Sequence, residues 1–259
     1  TENRNDSHDI TTQFFANYAK TLGRHDFSVM IGYEDYYAFW ENLDASRDQY
    51  QLTSYPYLDL GSEDYRDNGG NAEEYAYRSL FGRMTYSYAD RYLIQANLRR
   101  DGSSRFAKEQ RWGLFPAAAF AWKVKEESFL KNVKGVTDLK LRLGWGITGQ
   151  QEHGYGDYVY MPNYTQNLAG AFYPIVGNGS TYRPEAYNKD LTWEKTTTYN
   201  VGVDLGFWNN RVTANLDWYY RKTTDLLNTG FVAVGSNFSS SVLSNIGSLH
   251  NTGFEAMLT

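Results

Sequence analysis

No cysteine occurs in the 259 residues, so neither a disulfide framework nor a thiolate metal site is open to this chain. No apolar run of about 18 residues exists, and mean hydropathy is −0.62, which excludes a transmembrane helix. It does not exclude a membrane β-barrel, because half of each barrel strand faces water. A basic surplus is missing as well. Net charge is −5, which argues against nucleic acid as a partner, since that needs a basic face. The four histidines, His8, His25, His153 and His250, lie far apart. None has the i, i+4 spacing of a ligand pair, so a zinc site or a histidine-based triad has no support. Thr1 rather than Met opens the chain, with no signal peptide before it, and Met257-Leu258-Thr259 ends it inside an alternating run. Both ends are therefore expected to be internal to a longer protein.

Aromatic residues are abundant: 23 Tyr, 14 Phe and 7 Trp make 17% of the chain. Such a surface suits sugar stacking or a membrane interface. The most telling stretch is Trp112 to Trp122. Trp112, Leu114, Pro116, Ala118, Phe120 and Trp122 share one face, opposite Gly113, Ala117, Ala119 and Ala121, with Phe115 the exception. Ten steps of about 3.3 Å, tilted by about 45°, climb roughly 23 Å. That matches the roughly 25 Å apolar band of an outer-membrane barrel with its two aromatic girdles.

The same period of two recurs over 11–22, 27–38, 77–88, 92–101, 138–148, 196–207 and 211–223, and a last strand opens near Gly253. The spacing predicts about nine strands. Connections alternate between short (23–26, 89–91, 208–210) and long (39–75, 149–191, 225–250), with medium ones at 102–111 and 124–137. Brief turns on one side and extended loops on the other are the pattern of outer-membrane barrels. The fold class read here is all-β: an antiparallel transmembrane β-barrel segment with long extracellular loops. Arg99, Lys140, Arg142, Asn200, Asp204, Asn215 and Asp217 are expected on the inner face. An odd strand count does not close a single-chain bacterial barrel, so further strands are expected beyond these residues.

Gly144-Trp-Gly146-Ile-Thr-Gly149 matches G-x-G-x-x-G, but the residues after it are poor helix formers. The simpler reading is a strand with a bare inner face. The acidic, Gly-rich stretch Asp59 to Asn71 offers oxygen ligands for calcium without the spacing of an EF-hand, and a solvated outer loop is the simpler reading. No other cofactor is expected. Carboxylates are plentiful, but no pair stands out as the acid and base of a glycosidase. The aromatic segments 36–57 and 155–173 are the better candidates. Trp40, Tyr55, Tyr57, Tyr155, Tyr158, Tyr160 and Tyr164 are the expected substrate-binding residues, because flat rings stack on the C–H faces of sugars while polar neighbours take the hydroxyls. The competing reading is that these rings only pack the loops or form the outer girdle.

Tyr92-Leu-Ile-Gln-Ala-Asn-Leu-Arg-Arg-Asp101-Gly-Ser-Ser-Arg-Phe106 followed by Trp112-Gly-Leu-Phe-Pro-Ala resembles a hallmark of SusC/RagA-like TonB-dependent outer-membrane transporters. So do Leu139 to Gly149, Leu191-Thr-Trp-Glu-Lys-Thr196, Asn200-Val-Gly-Val-Asp204, Tyr219 to Leu227, Asn245-Ile-Gly247 and Asn251-Thr-Gly253-Phe-Glu255. The resemblance covers most of 77–259. It implies a 22-stranded barrel in the outer membrane of a Bacteroidetes-type bacterium, with a plug, a TonB complex reached through the plug region, and a SusD-like lipoprotein as lid. It implies active import of oligosaccharides and supplies no catalytic residues. Peptide import by the same family, a passive porin, and a soluble all-β carbohydrate-binding or hydrolytic domain are the alternatives. The last predicts that the apolar strand faces pack on a second sheet.

Overall fold

A computed structural model describes residues 1–51, 54–55, 57–166, 182–233 and 241–259. Nine long strands form one sheet: β1 (Glu2–Leu22), β2 (His25–Arg47), β3 (Arg66–Tyr88), β4 (Tyr92–Ser103), β5 (Trp112–Lys123), β6 (Val136–Gln150), β9 (Glu194–Phe207), β10 (Val212–Thr224) and β13 (Ser248–Leu258). Two short pairs belong to the loops: β7 (Tyr164–Gln166) with β8 (Tyr182–Pro184), and β11 (Leu227–Phe231) with β12 (Ser241–Asn245). One helical turn, α1 (Ser128–Lys131), follows β5. The sheet runs β1-β2-β3-β4-β5-β6-β9-β10-β13, and each long strand pairs antiparallel with the next. It is an up-and-down meander, not closed on itself, and its nine strands are the nine that the period of two predicts.

Tight turns set the register at one end. Ala89 and Asp90 take φ values of 52° and 55°, and the Arg91 N–H donates to the Tyr88 carbonyl at 3.0 Å. Both residues are left-handed, and the three-residue connection 89–91 brings Tyr88 opposite Tyr92. Gly23, at φ 63°, opens the β1–β2 turn.

With that register, the apolar positions fall into unbroken rows. Ile94, Phe120, Leu143, Val201, Trp218 and Phe254 are successive cross-strand partners from β4 to β13. The row one residue away, on the opposite face, is Gln95, Ala119, Gly144, Asn200, Tyr219 and Gly253. The apolar row is not a core. Leu143 is 50% exposed, Val201 44% and Phe254 66%. Among the described residues no second sheet covers this face, so the two-sheet sandwich is excluded. A contiguous apolar face nine strands wide is what hydrocarbon, not water, solvates.

Aromatic margins bound the apolar band. On the turn side Tyr88, Tyr92 and Trp122 stack in sequence, with centroids 6.3 Å apart at each step. Glu127, just before α1, accepts from Tyr92 Oη at 2.5 Å and from Trp122 Nε1 at 3.1 Å. Those hydrogen bonds, the Tyr92 phenol first, hold its carboxyl below the ordinary carboxylate range. On the loop side the Arg100 guanidinium lies 4.6 Å over the Trp112 ring, and Tyr199 meets Tyr220 at 6.5 Å. Rings with an apolar body and a polar rim belong at such boundaries.

The opposite face carries the charge. Arg142 donates to Asp204 at 2.9 Å and to Asp217 at 2.8 Å, while Asn215 and Lys140 also reach Asp204. Arg99 joins Asp101, Ser79 and Glu34. Arg99, Lys140, Arg142, Asp204, Asn215 and Asp217, expected on the inner face, are there and paired with one another or with neighbouring side chains, and Asn200 lies in the same polar row.

Four strand boundaries differ from the periodicity. β1 begins at Glu2 rather than near residue 11, and β13 at Ser248 rather than near Gly253. The loop expected over 39–75 shrinks to 48–65, because β2 and β3 stay paired from His25↔Tyr88 up to Arg47↔Arg66. In Glu41–Arg47 and Arg66–Glu74 both faces are wet, so backbone pairing continues while the apolar alternation that reports it fades. The stretch Asp59–Asn71 is accordingly not one continuous loop, since Arg66–Asn71 lies in β3.

Candidate functional site

The long loops fold back onto the polar face at one end of the sheet and build a small core there. Phe106, Phe115, Leu191, Trp193 and Leu243 are buried together, with Ile147, Val159 and Leu227 packed around them. Phe115 and Trp193 meet edge-on at 5.2 Å. This explains the one residue that broke the pattern in β5. Phe115 points to the polar face because its ring anchors the loops. Gly113 and Gly149 flank that ring, and a Cβ on either would overlap it. Gly149 ends the G-x-G-x-x-G run, which lies wholly within β6, and residues 151–166 after it hold no helix. Gly149 clears space for that ring and Gly146 for Ala117.

Two family-like motifs clasp one another beside this core. The Thr192 N–H donates to Asn245 Oδ1 at 2.9 Å, and Asn245 Nδ2 donates to the Thr192 carbonyl at 2.7 Å and the Asp225 carbonyl at 2.8 Å. Trp193 Nε1 donates to the Arg111 carbonyl at 3.0 Å. Leu191 and Trp193 are therefore held by side chain and backbone alike.

A strap, residues 151–158, crosses from β6 to the upper part of β3. The Asp157 N–H donates to Glu73 Oε1 at 3.0 Å, Tyr158 Oη donates to the Glu74 carbonyl at 2.9 Å, and Gln151 donates to the Tyr75 hydroxyl. Arg105 pairs with Asp157 and lies 4.3 Å over the Tyr75 ring. Burial pushes the His153 imidazole below its ordinary value, and the Arg105 cation adds to this while Asp157 and Glu152 oppose it.

Two hollows meet at the strap. One, about 460 Å³, lies between 155–163 and the β11–β12 hairpin, lined by Glu73, Tyr155, Tyr158, Asn163 and Thr229 among others. The other, about 260 Å³, is lined by Asp9, Tyr36, Trp40, Glu73, Tyr75 and Asp157. Glu73 and Asp157 belong to both. A third hollow of about 580 Å³ lies lower on the polar face, where Gln95, Ala119, Gly144 and Asn200 leave the wall bare.

Of the seven expected binding residues, the structure gathers three here: Trp40, Tyr155 and Tyr158. Tyr155 is 53% exposed and hydrogen bonds Thr229 Oγ1 at 3.0 Å. Tyr55 and Tyr57 stand exposed in the 48–65 loop and line neither hollow. Tyr160 is half-buried and Tyr164 is exposed at the start of β7, both outside the hollows. Phe172 and Tyr173, also in the aromatic segment, lie outside the described residues. Sequence reasoning singled out none of Glu73, Tyr75, Arg105 and Asp157, which the fold also brings to the strap, and named Tyr36 only as part of the aromatic segment 36–57. Arg105 lay within a family-like motif, the one signal among the four. Among the described residues no group of three or more histidine or acidic side chains is arranged to hold a metal ion.

An outward apolar band between aromatic margins, an inward charged face, and short turns opposite long loops define a wall segment of a transmembrane β-barrel. All 259 residues match the family model described as "TonB dependent receptor-like, beta-barrel", and the chain belongs to that family. It is 44% identical over 252 residues to the TonB-dependent receptor SusC of Bacteroides thetaiotaomicron, covering 96% of this chain and 24% of that protein. A TonB-dependent receptor of Formosa agariphila is 33% identical over 265 residues, covering 99% and 24%. Among solved structures, the RagAB peptide transporter matches with a TM-score of 0.86 at 27% identity, covering 99% of this chain and 28% of that one. The ferric enterobactin receptor of Pseudomonas aeruginosa shares the fold, with a TM-score of 0.59 at 14% identity. The chain thus spans about a quarter of the length of these relatives. Its place is the bacterial outer membrane, and the relatives are receptors and transporters by name.

Proposed function

We propose that these residues form part of the wall and outer loops of an active importer of oligosaccharides, energised through TonB. A plug contributed by other parts of the protein would contact the TonB complex, and a SusD-like lipoprotein would cover the loop side. In this reading the chain serves transport, in line with the names of its relatives. The observation that carries this reading is the sheet with two opposite faces, one apolar and open to lipid, the other charged and roofed by anchored loops.

The glycan assignment has two supports. Identity is higher to SusC than to the RagAB peptide transporter, and the hollows set Tyr155 and Tyr158 rings beside Glu73 and Asn163. Rings that stack on sugar C–H faces next to hydroxyl partners are the chemistry a glycan needs. Peptide import is the second reading, supported by the close coordinate match to the RagAB transporter. The bare patch around Gly144 fits a protein surface such as the plug lying against the wall.

The test places Tyr155→Ala and Tyr158→Ala together in the full-length protein and measures uptake of labelled oligosaccharides and oligopeptides. Each ring is worth about 0.5–1.5 kcal/mol in stacking, so oligosaccharide uptake should fall about tenfold while the barrel remains inserted. Undiminished uptake rejects the site. Uptake of peptides but not sugars by the unaltered protein rejects the glycan reading and leaves the importer.

A further inference from the structure

The inner face is polar on most strands but carries rings on β1, β2 and β3. Phe15 of β1, Gly32 of β2, Phe81 of β3 and Arg99 of β4 are successive cross-strand partners, so they share the inward face that Arg99 marks. Gln13 and Asn17 flank Phe15 on that face, yet its ring stands 66% exposed among them. The Phe81 ring lies over Gly32, where a Cβ would overlap it, and so leans toward Phe15. Four residues toward the loops, Tyr36 and Tyr77 are partners with rings stacked at 5.0 Å, and Tyr75 meets them at 6.0 and 6.1 Å. Trp40 stands four residues further on, opposite Glu73.

These rings form one column. Tyr36, Trp40 and Tyr75 already line the hollow of about 260 Å³ beside the strap. The row of Phe15 and Phe81 lies about 27 Å below Trp40, at about 3.3 Å per residue. The column crosses the loop-side margin. Trp112 is level with Arg78 through their shared partner Gly102, and Phe81 lies three residues inside that level. Between the two groups of rings runs a polar row, Gln13, Glu34, Ser79 and Asp101, in which Gln13 Nε2 donates to Glu34 Oε2 at 2.6 Å and Arg99 donates to Ser79 Oγ at 2.7 Å. Among the described residues, the inner faces of β4, β6 and β9 carry no aromatic ring, and Phe115 of β5 is taken up by the loop core.

We infer that the inward rings of β1, β2 and β3 form a transit track, along which an oligosaccharide leaving the strap hollow passes toward the membrane interior, with Phe15 and Phe81 as its innermost contacts. This rests on the glycan reading above and adds a second place of contact to it. A chain of sugars offers apolar C–H faces and hydroxyls by turns, and the column offers rings in two groups with a polar row between them. Its upper end is continuous with the hollow, because Tyr36 and Tyr75 belong to both. Each ring contact is weak by itself, so a sugar can leave one for the next without being trapped. A protein surface finds its close approach elsewhere, on the bare wall around Gly144.

The experiment uses the full-length protein in cells, with tritiated gluco-, manno-, xylo- and galacturono-hexaoses as probes. Binding to cells depleted of proton-motive force reports capture at the loops, and uptake by energised cells reports passage. The Phe15→Leu, Phe81→Leu double variant keeps apolar volume and removes both ring faces. Its uptake of the hexaose that the parent imports best should fall about tenfold, the loss expected for two stacked rings, with capture unchanged. Phe15→Leu alone, at a ring that already stands in the open, should lower uptake about threefold, and Phe15→Tyr should match the parent. Heat-modifiable migration on gels verifies that each variant is a folded barrel. Parental uptake by the double variant overturns the track and leaves the importer and its loop site standing. A fall in capture as large as the fall in uptake, or entry of vancomycin into cells carrying the variant, overturns it too, because the rings then serve the loop site or hold the plug. A parent that imports oligopeptides and none of the hexaoses removes the glycan reading and the track together.

Discussion

Asn245 pairs with the backbone of Thr192 as a neighbouring strand would, accepting from its N–H at 2.9 Å and donating to its carbonyl at 2.7 Å. One side chain thus replaces a rung of sheet between two loops that no ladder joins. Asn245→Ala strands the Thr192 amide and the Thr192 and Asp225 carbonyls. An unmet buried polar group costs about 1–3 kcal/mol. The expected result is faster proteolysis within 225–247 and lost exchange protection at Thr192, with the membrane strands unchanged. Protection equal to the parent would remove Asn245 from its role as clasp.

Gly149→Ala tests the packing of Phe115. A Cβ at 149 meets the Phe115 ring, which has no free direction because Trp193 lies 5.2 Å away. Overpacking of this kind costs about 1–3 kcal/mol. Thermal unfolding should begin earlier, and adding Phe115→Leu should restore part of the loss. A glycine kept only for turn flexibility predicts no rescue.

Arg142→Met leaves Asp204 and Asp217 facing each other without the cation that both share. The pair is partly exposed, so the penalty falls below the 3–5 kcal/mol of a fully buried site, at about 1–2 kcal/mol. Unfolding in detergent should shift to lower denaturant concentration. Adding Asp217→Asn should recover stability by removing the repulsion. An additive double variant would mean that the three groups do not act together.

The strap should loosen in acid. His153 in the folded chain has its pKa held below the ordinary 6.5 by burial. A depressed value means the unfolded chain binds the proton more readily. The contribution to stability is therefore complete above 6.5 and is lost as pH falls below it. Exchange protection over 151–158, corrected for intrinsic rates, should decline on acidification through that range, and His153→Gln should flatten the change. Protection that is flat in the parent would show that the imidazole is not coupled to the strap.

The sequence carried the membrane wall well and the loop architecture poorly, for a physical reason. Alternation between Leu143 and Gly144, or Val201 and Gly202, records two different solvents on the two faces, so strand number and facing could be read directly. Above the lipid both faces meet water, and β2 to Arg47 and β3 from Arg66 left no such record. The site is still less legible. Trp40, Tyr155 and Tyr158 could be singled out because aromatic rings in loops are conspicuous, and the fold sets them around the two hollows. Glu73 and Asp157 look like any surface acid until the fold brings β3 against a strap more than eighty residues away. Phe115 was visible as an irregularity, but its meaning needed Trp193.

The central claim is that the outward apolar face touches lipid hydrocarbon. It is tested by spin labels placed singly at Leu143→Cys, Val201→Cys and Asn200→Cys in the full-length protein in lipid bilayers, exploiting a stretch with no native cysteine. Labels at 143 and 201 should collide with dissolved oxygen and be shielded from a water-soluble nickel complex, and the label at 200, one residue away on the inward face, should not show that lipid pattern. Nickel access at 143 and 201 equal to that of a water-exposed loop position, or labels there immobilised against protein, would contradict the account.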